Sequence, residues 1–197
     1  MCIRDRRWFA SGYRTDARID SVKLPWVGTD GNPEVPFGCN QIFSLNGVKV
    51  GVEICEDLWV PEPPSGGLCM AGADVIVNLS ASDALIGKRA YALDLMANQS
   101  ARCRCGYVYA SAGFGESSTD LAFAGNAVIA ENGSLLAKND EFDHTPGFRI
   151  ADIDVQHLRH DRMHFSSFSD HFAGAGDYVT WAVSYTHLRA HETVLDL

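Results

Sequence analysis

The residue best equipped for chemistry is Cys55, in the run Gly51-Val52-Glu53-Ile54-Cys55-Glu56-Asp57-Leu58-Trp59, where carboxylates stand two positions before the thiol and at both positions after it. A cysteine thiolate attacks a carbonyl carbon and holds the acyl group as a thioester, so a thiol among acid and base groups suits amide hydrolysis. An unperturbed thiol, with a pKa of about 8.5, is only a few per cent ionised at neutral pH and needs a base or a cationic neighbour. The neighbouring carboxylates are poorly placed for that work. Glu53 lies two strand positions back, a rise of about 6.6 Å, too far for direct proton transfer without a bend or a water, and a carboxylate without a cation raises a thiol's pKa. Free cysteine is also among the most buried residue types, so packing is the plain alternative.

The elements around Cys55 are legible. Gln41–Leu45 and Val48–Ile54 are β-prone runs joined by Asn46-Gly47, a strong two-residue hairpin signal. Along the second run Val48, Val50, Val52 and Ile54 share one face and Lys49, Gly51, Glu53 and Cys55 the other. Pro61, Pro63 and Pro64 forbid a regular continuation, so the chain turns sharply at the thiol. Residues 7–38 read as a glycine- and proline-punctuated loop, residues 68–72 as a short helix, and residues 74–79 as a strand buried on both faces. Residues 87–105 form an amphipathic helix through Leu93, Met96, Ala97, Ser100, Ala101 and Arg104, with Gly106 as its stop. Residues 107–112 form the next strand, giving a parallel βαβ unit. A second hairpin turns at Asn132-Gly133, residues 148–153 read as a further strand, and residues 155–163 as a helix. The order implies an α/β fold with mixed sheets.

Composition narrows the function. The 197 residues carry a formal charge of −9 and 46% hydrophobic content, which fits one globular domain and disfavours nucleic acid and anionic membranes as partners. No apolar run approaches the roughly 18 residues of a membrane span, and a cytoplasmic location is expected. The six cysteines, at 2, 39, 55, 69, 103 and 105, show no disulfide framework and read as free thiols. Cys103-Arg104-Cys105 reads as a helix end, and His157, His160 and His164, set among charged residues, read as a solvated helix face rather than a metal site. Neither a P-loop nor a GxGxxG run is present, so no residue supports ATP or dinucleotide binding.

The run GVEICEDLWVPEPPS closely resembles the nucleophile segment of the nitrilase (carbon-nitrogen hydrolase) superfamily, and within it the glutamine-hydrolysing domains of glutamine-dependent NAD synthetases. Arg7–Gly12 (RWFASG), Asn78–Ser82 (NLSAS) and the stretch Gly106–Ile129 add to the likeness, which covers about Arg7 to Trp181. The resemblance implies a four-layer αββα sandwich, truncated at its N-terminus, and a Glu–Lys–Cys triad of which only Cys55 can be placed. The glutamate and lysine belong to segments that would precede Arg7, so the chain alone is expected to be nearly inert. It further implies that the Glu56 backbone N–H completes the oxyanion hole, and that Trp59, Ser82 and Lys88 bind glutamine. Ser82 reads equally as a helix cap, Lys88 as a solvated first-turn lysine and Trp59 as packing. Glu116, Ser117, Ser118 and Asp120 form a polar loop that gates or only solvates the site. Expected partners are glutamine, a synthetase domain supplied with the released ammonia, and further copies of the intact protein. No cofactor is expected in this domain, ATP and magnesium belonging to the synthetase domain. The alternatives are a nitrilase-superfamily amidase or carbamoylase acting on another amide, and a non-catalytic fragment.

The two ends stand apart. Residues 1–6 (MCIRDR) and 183–197 (VSYTHLRAHETVLDL) resemble translated sequencing-adapter read-through, leaving residues 7–182 as the expected partial domain.

Overall fold

The computed structural model describes residues 20–23, 34–116, 121–141, 143, 145, 147–168, 170 and 177–183. Both terminal segments suspected of being foreign lie essentially outside these residues, as do Arg7–Gly12 and the polar-loop members Ser117, Ser118 and Asp120.

The first hairpin forms where the sequence places it. Strands β3 (Gln41–Leu45) and β4 (Val48–Ile54) pair antiparallel, and Asn46 and Gly47 take φ of 50° and 81°, the left-handed pair that matches strand twist in a two-residue turn. Before it, a two-stranded antiparallel sheet of β1 (Asp20–Lys23) and β2 (Glu34–Phe37) replaces part of the expected loop. The chain leaves β4 into a 3-10 helix, Cys55–Trp59, and then helix α1 (Pro64–Met70). That helix starts four residues earlier than its apolar residues suggested, because Pro64 occupies the first turn, where a missing N–H costs nothing.

Strand β5 (Val75–Ser80), helix α2 (Lys88–Cys103) and strand β6 (Gly106–Ser111) make the expected parallel unit. Cys103 ends α2, but its left-handed cap is Arg104 with φ 45°, not Gly106. Gly106 opens β6 instead, and a Cβ there would lie 2.7 Å from Ile153 Cδ1, so this glycine serves close packing. The buried face of α2 is Ala92, Met96, Gln99, Ser100 and Cys103, rotated from the expected stripe. Strands β7 (Ala127–Glu131) and β8 (Ser134–Lys138) turn at Asn132-Gly133, with φ of 45° and 93°.

The expected strand over residues 148–153 does not form, and its apolar side chains do other work: Ile153 covers Gly106, while Phe148 and Ile150 stay exposed. Helix α3 (Val155–His164) follows, capped by the Asp154 carboxylate on the His157 N–H. His157, His160 and His164 lie on its solvent side, the last two with rings 4.0 Å apart. The final described strand, β9 (Val179–Ala182), pairs parallel with β3 and was not anticipated.

Seven strands run in the order β8-β7-β6-β5-β4-β3-β9, a mixed sheet. Helices α1 and α2 cover one face, where Ile42, Ile76, Tyr107, Tyr109, Val128 and Ala130 pack against Leu68, Cys69, Ala92, Met96 and Cys103. The opposite face carries the alternate positions, with Ile54 42% and Leu79 57% exposed. The five described cysteines are free, and Cys39 alone among them is exposed. No helix among the described residues is long and apolar enough to cross a membrane.

Candidate active site

Strands β4, β5 and β6 are parallel neighbours, with Glu53 opposite Asn78 and Asn78 opposite Tyr109. Their carboxyl ends therefore lie side by side, the usual place for a site in an open α/β sheet. Cys55 sits at the carboxyl end of β4, beside the central strand β5 of this group, at the corner between β4 and the 3-10 helix.

Its backbone conformation sets it apart from the other buried cysteines. Cys55 is 1% exposed, and its φ is +52°, left-handed for a residue with a Cβ. That conformation costs roughly 1–2 kcal/mol and persists only where the surroundings over-determine it. Among the described residues, the other non-glycine cases are two turn asparagines and the Arg104 helix cap, each with a local reason. At Cys55 the reason is tertiary. The side chain of Asn78 accepts the Cys55 N–H at 3.1 Å through Oδ1, and its Nδ2 points to the Cys55 carbonyl at 3.4 Å, so one amide brackets the residue.

Beneath the thiol lies a polar network on the helix-covered face. The Glu53 carboxylate, 1% exposed, accepts from the Ser65 N–H at 3.0 Å, from Asn78 Nδ2 at 3.3 Å, and from the Tyr107 hydroxyl. Tyr107 in turn accepts from Asn78 Nδ2 at 3.1 Å. Gln99 extends the set from α2, donating to Ser65 Oγ at 2.9 Å and Cys103 Sγ at 3.2 Å. Burial pushes the Glu53 carboxyl up despite the opposing pull of Tyr107, Ser65 and Asn78, and burial together with Glu53 pushes the Tyr107 hydroxyl far up. A carboxylate so enclosed is anchored in place rather than free to swing toward the thiol.

The residues singled out from sequence gather at this end of the sheet. Ser82, beyond the end of β5, is 6% exposed and donates its N–H to Ser111 Oγ at 3.2 Å, so it does not cap α2, whose N-cap is Gly87. The Tyr109 hydroxyl shares a hydrogen bond with Ser80 Oγ at 2.7 Å, and burial pushes it up against the opposing pull of Ser80 and Ser82. Lys88, the first residue of α2, pairs with Asp83 and places its ammonium 5.4 Å from the centroid of the Trp59 ring, which packs on Tyr91 at 5.4 Å. Lys88 is thus a paired, part-buried residue, not a solvated one, and Trp59 joins the wall beside it. Glu56 follows Cys55 half-buried, and the Asp57 carboxylate accepts the Ile54 N–H at 2.8 Å. Glu116 is exposed. A cleft of about 210 Å³ opens beside Ser82, Asp83 and Lys88, lined also by Arg89, Phe114 and Asn126; Cys55, Glu56 and Trp59 are not among its lining residues.

Arg89 and Asn78 escaped the sequence reading. Arg89 donates to Asn126 Oδ1 and the Asn139 carbonyl, fixing the far wall of the cleft. For Asn78 a signal existed, since a lone amide inside the apolar run DVIVNL demands buried partners, and on the same face Glu53 stands directly opposite it on β4 and Tyr107 diagonally across on β6.

The model of the carbon-nitrogen hydrolase family matches residues 20–163. The chain belongs to the carbon-nitrogen hydrolase family. Among its relatives, the glutamine-dependent NAD(+) synthetase of Mycobacterium bovis is 44% identical over 169 residues, covering 84% of this chain and 24% of the relative. The crystal structure of a glutamine-dependent NAD(+) synthetase from Cytophaga hutchinsonii aligns with a TM-score of 0.55 at 29% identity, over 68% of this chain and 20% of that one. A Saccharomyces cerevisiae member of branch 10 of the nitrilase superfamily aligns with a TM-score of 0.53 at 18% identity, over 68% of this chain and 48% of that one, a likeness of fold. The mixed α/β sheet with its helices is therefore the nitrilase-superfamily fold, and the chain is a carbon-nitrogen hydrolase domain homologous to the glutamine-dependent NAD synthetases, spanning about a quarter of the Mycobacterium bovis protein's length.

Proposed function

We propose that this carbon-nitrogen hydrolase domain cleaves the side-chain amide of glutamine through a thioester on Cys55. The observation that carries the reading is the left-handed, strand-end placement of Cys55 inside the segment it shares with the family. The thiolate attacks the amide carbon, the carbonyl oxygen becomes an oxyanion, and its collapse expels ammonia and leaves a glutamyl thioester that water hydrolyses. The Glu56 N–H lies next in the chain to receive the oxyanion. Lys88 and Asp83 offer the opposite charges that the carboxylate and ammonium of a free amino acid need, with Trp59 and Ser82 bounding the same region. Glu53 does not act as the base, because its oxygens are already held by Tyr107, Asn78 and Ser65. The resemblance assigns proton transfer and oxyanion support to a glutamate and a lysine, the partners of Cys55 in the family's triad. The ammonia serves a synthetase domain, as the names of the relatives suggest.

The test is labelling with the electrophilic glutamine analogue 6-diazo-5-oxo-L-norleucine, read by peptide mass spectrometry. Selective, glutamine-protected modification of Cys55 is expected; equal labelling of Cys55 and the exposed Cys39 defeats the reading. In the reading frame extended upstream, ammonia release from glutamine is expected. Hydrolysis of another amide without glutamine turnover would reassign the substrate.

A further inference from the structure

We propose that Asn78, oriented by Glu53 and Tyr107, is a positioning residue that holds the Cys55 nucleophile in its left-handed conformation. The inference rests on the reading of Cys55 as the nucleophile and goes beyond it, because none of these three side chains takes a chemical part in that mechanism.

A φ of +52° at a residue carrying a Cβ relaxes unless something holds it. Cys55 ends its strand, so sheet pairing does not fix it; the β4–β5 register runs only to Ile54 opposite Leu79. What fixes it is the Asn78 amide, whose Oδ1 takes the Cys55 N–H at 3.1 Å while Nδ2 approaches the Cys55 carbonyl at 3.4 Å.

An amide can bind in two orientations, and only one of them serves. Turned over, Asn78 would present Nδ2 to the Cys55 N–H, donor against donor. Glu53 and Tyr107 forbid this. The Glu53 carboxylate accepts from Nδ2 at 3.3 Å and the Tyr107 oxygen at 3.1 Å, so the donor side of the amide is drawn away from the Cys55 N–H and Oδ1 is left to receive it. Tyr107 donates its own proton to Glu53, and the Ser65 N–H on α1 holds the second carboxylate oxygen at 3.0 Å, which leaves the anion no freedom to swing toward the thiol. Burying a carboxylate and two polar partners in an otherwise apolar core is costly unless every group is satisfied, and here each donor meets an acceptor. Glu53, the nearest preceding carboxylate to the thiol in sequence, thus acts two bonds away from the chemistry by orienting an amide.

The experiment uses this chain with the glutamine analogue above, measuring for Cys55 the saturating rate of modification and the concentration at half-saturation. For Asn78→Ala the saturating rate is expected to fall about tenfold with the half-saturation concentration unchanged, because the thiol loses its fixed presentation while Lys88, Asp83 and Trp59 are untouched. For Tyr107→Phe, which keeps the buried ring and removes only the hydroxyl, a fall of about threefold is expected. Asn78→Ala with an unchanged saturating rate, or with a change confined to half-saturation, overturns the proposal. If Asn78→Ala does not give a cooperative melt, Tyr107→Phe decides, and a wild-type rate there overturns it. If the wild-type chain shows no glutamine-protected labelling, the glutamine reading fails separately. The positioning role is then read with iodoacetamide: the ratio of Cys55 to Cys39 alkylation should fall in Tyr107→Phe, and an unchanged or increased ratio overturns it.

Discussion

Gly51, in the middle of β4, packs directly beneath Leu68 of helix α1. A Cβ built there would lie 2.9 Å from Ile76 Cδ1 and 3.1 Å from both Leu68 Cβ and Leu68 Cδ1. The two Cδ1 atoms are ends of flexible side chains and can rotate away. Leu68 Cβ cannot, because it moves only with the backbone of α1. Gly51→Ala therefore forces the helix outward by a few tenths of an ångström. Overpacking of this kind costs about 1–3 kcal/mol, and the loss of backbone freedom in the unfolded chain returns about 0.4–1 kcal/mol. The net loss should be about 1–2 kcal/mol, a drop in Tm of about 2–8 °C for a domain of this size. Urea unfolding followed by far-ultraviolet circular dichroism measures it. Adding Ile76→Val removes the 2.9 Å contact but leaves Leu68 Cβ in place, so the double variant should recover less than half of the loss. A Gly51→Ala protein as stable as wild type, or one fully rescued by Ile76→Val, refutes the assignment of the strain to the helix backbone. The displaced helix also carries Ser65, so the same variant should loosen the Glu53 anchor.

Two further outcomes follow from the buried charges. Burial holds the Glu53 carboxyl above its ordinary value of 4.5, so the folded protein binds that proton more readily than the unfolded chain; its contribution to stability is fully present below that value and is lost as pH rises through the raised one. The stability advantage of wild type over Glu53→Gln should accordingly be largest below pH 4.5 and shrink toward pH 7, and a difference in urea midpoints that does not vary with pH would contradict this. Arg159 grips Asp74 through Nε at 2.9 Å and a second nitrogen at 2.6 Å, with the Gly47 carbonyl also at 2.6 Å. Asp74 is buried and its side chain is only 3% exposed, whereas that of Arg159 is 45% exposed, so Arg159→Ala should cost about 1–3 kcal/mol, mostly from stranding the carboxylate. In Asp74→Asn the same arginine substitution should cost less than half as much by the same unfolding assay.

The parts of the fold legible in the sequence were those with local causes. Asn46-Gly47 and Asn132-Gly133 specify their hairpins by backbone preference alone, and the apolar run of β5 announces a buried strand without reference to anything distant. What escaped depends on partners far along the chain. Strand β9 pairs with β3 across more than a hundred residues and carries no alternation of its own. Residues 148–153 have the composition of a strand, yet Ile153 is apolar because it covers Gly106, a contact no local pattern encodes. At the site, Cys55, Ser82, Lys88 and Trp59 were named through motif likeness, while the roles of Asn78 and Tyr107 needed the register of three strands to become visible.

The sheet face turned away from α1 and α2 bears on how the protein behaves at high concentration. Its half-covered valines and the exposed Ile54 and Leu79 form an apolar stripe, and nothing intrinsic to that stripe resists self-association. Mutual repulsion between chains of formal charge −9 does. That repulsion reaches only about 10 Å at 0.1 M salt and about 3 Å at 1 M. Dilute buffers of low ionic strength will therefore keep the chain dispersed, and added salt, which rescues many proteins from precipitation, will work against this one.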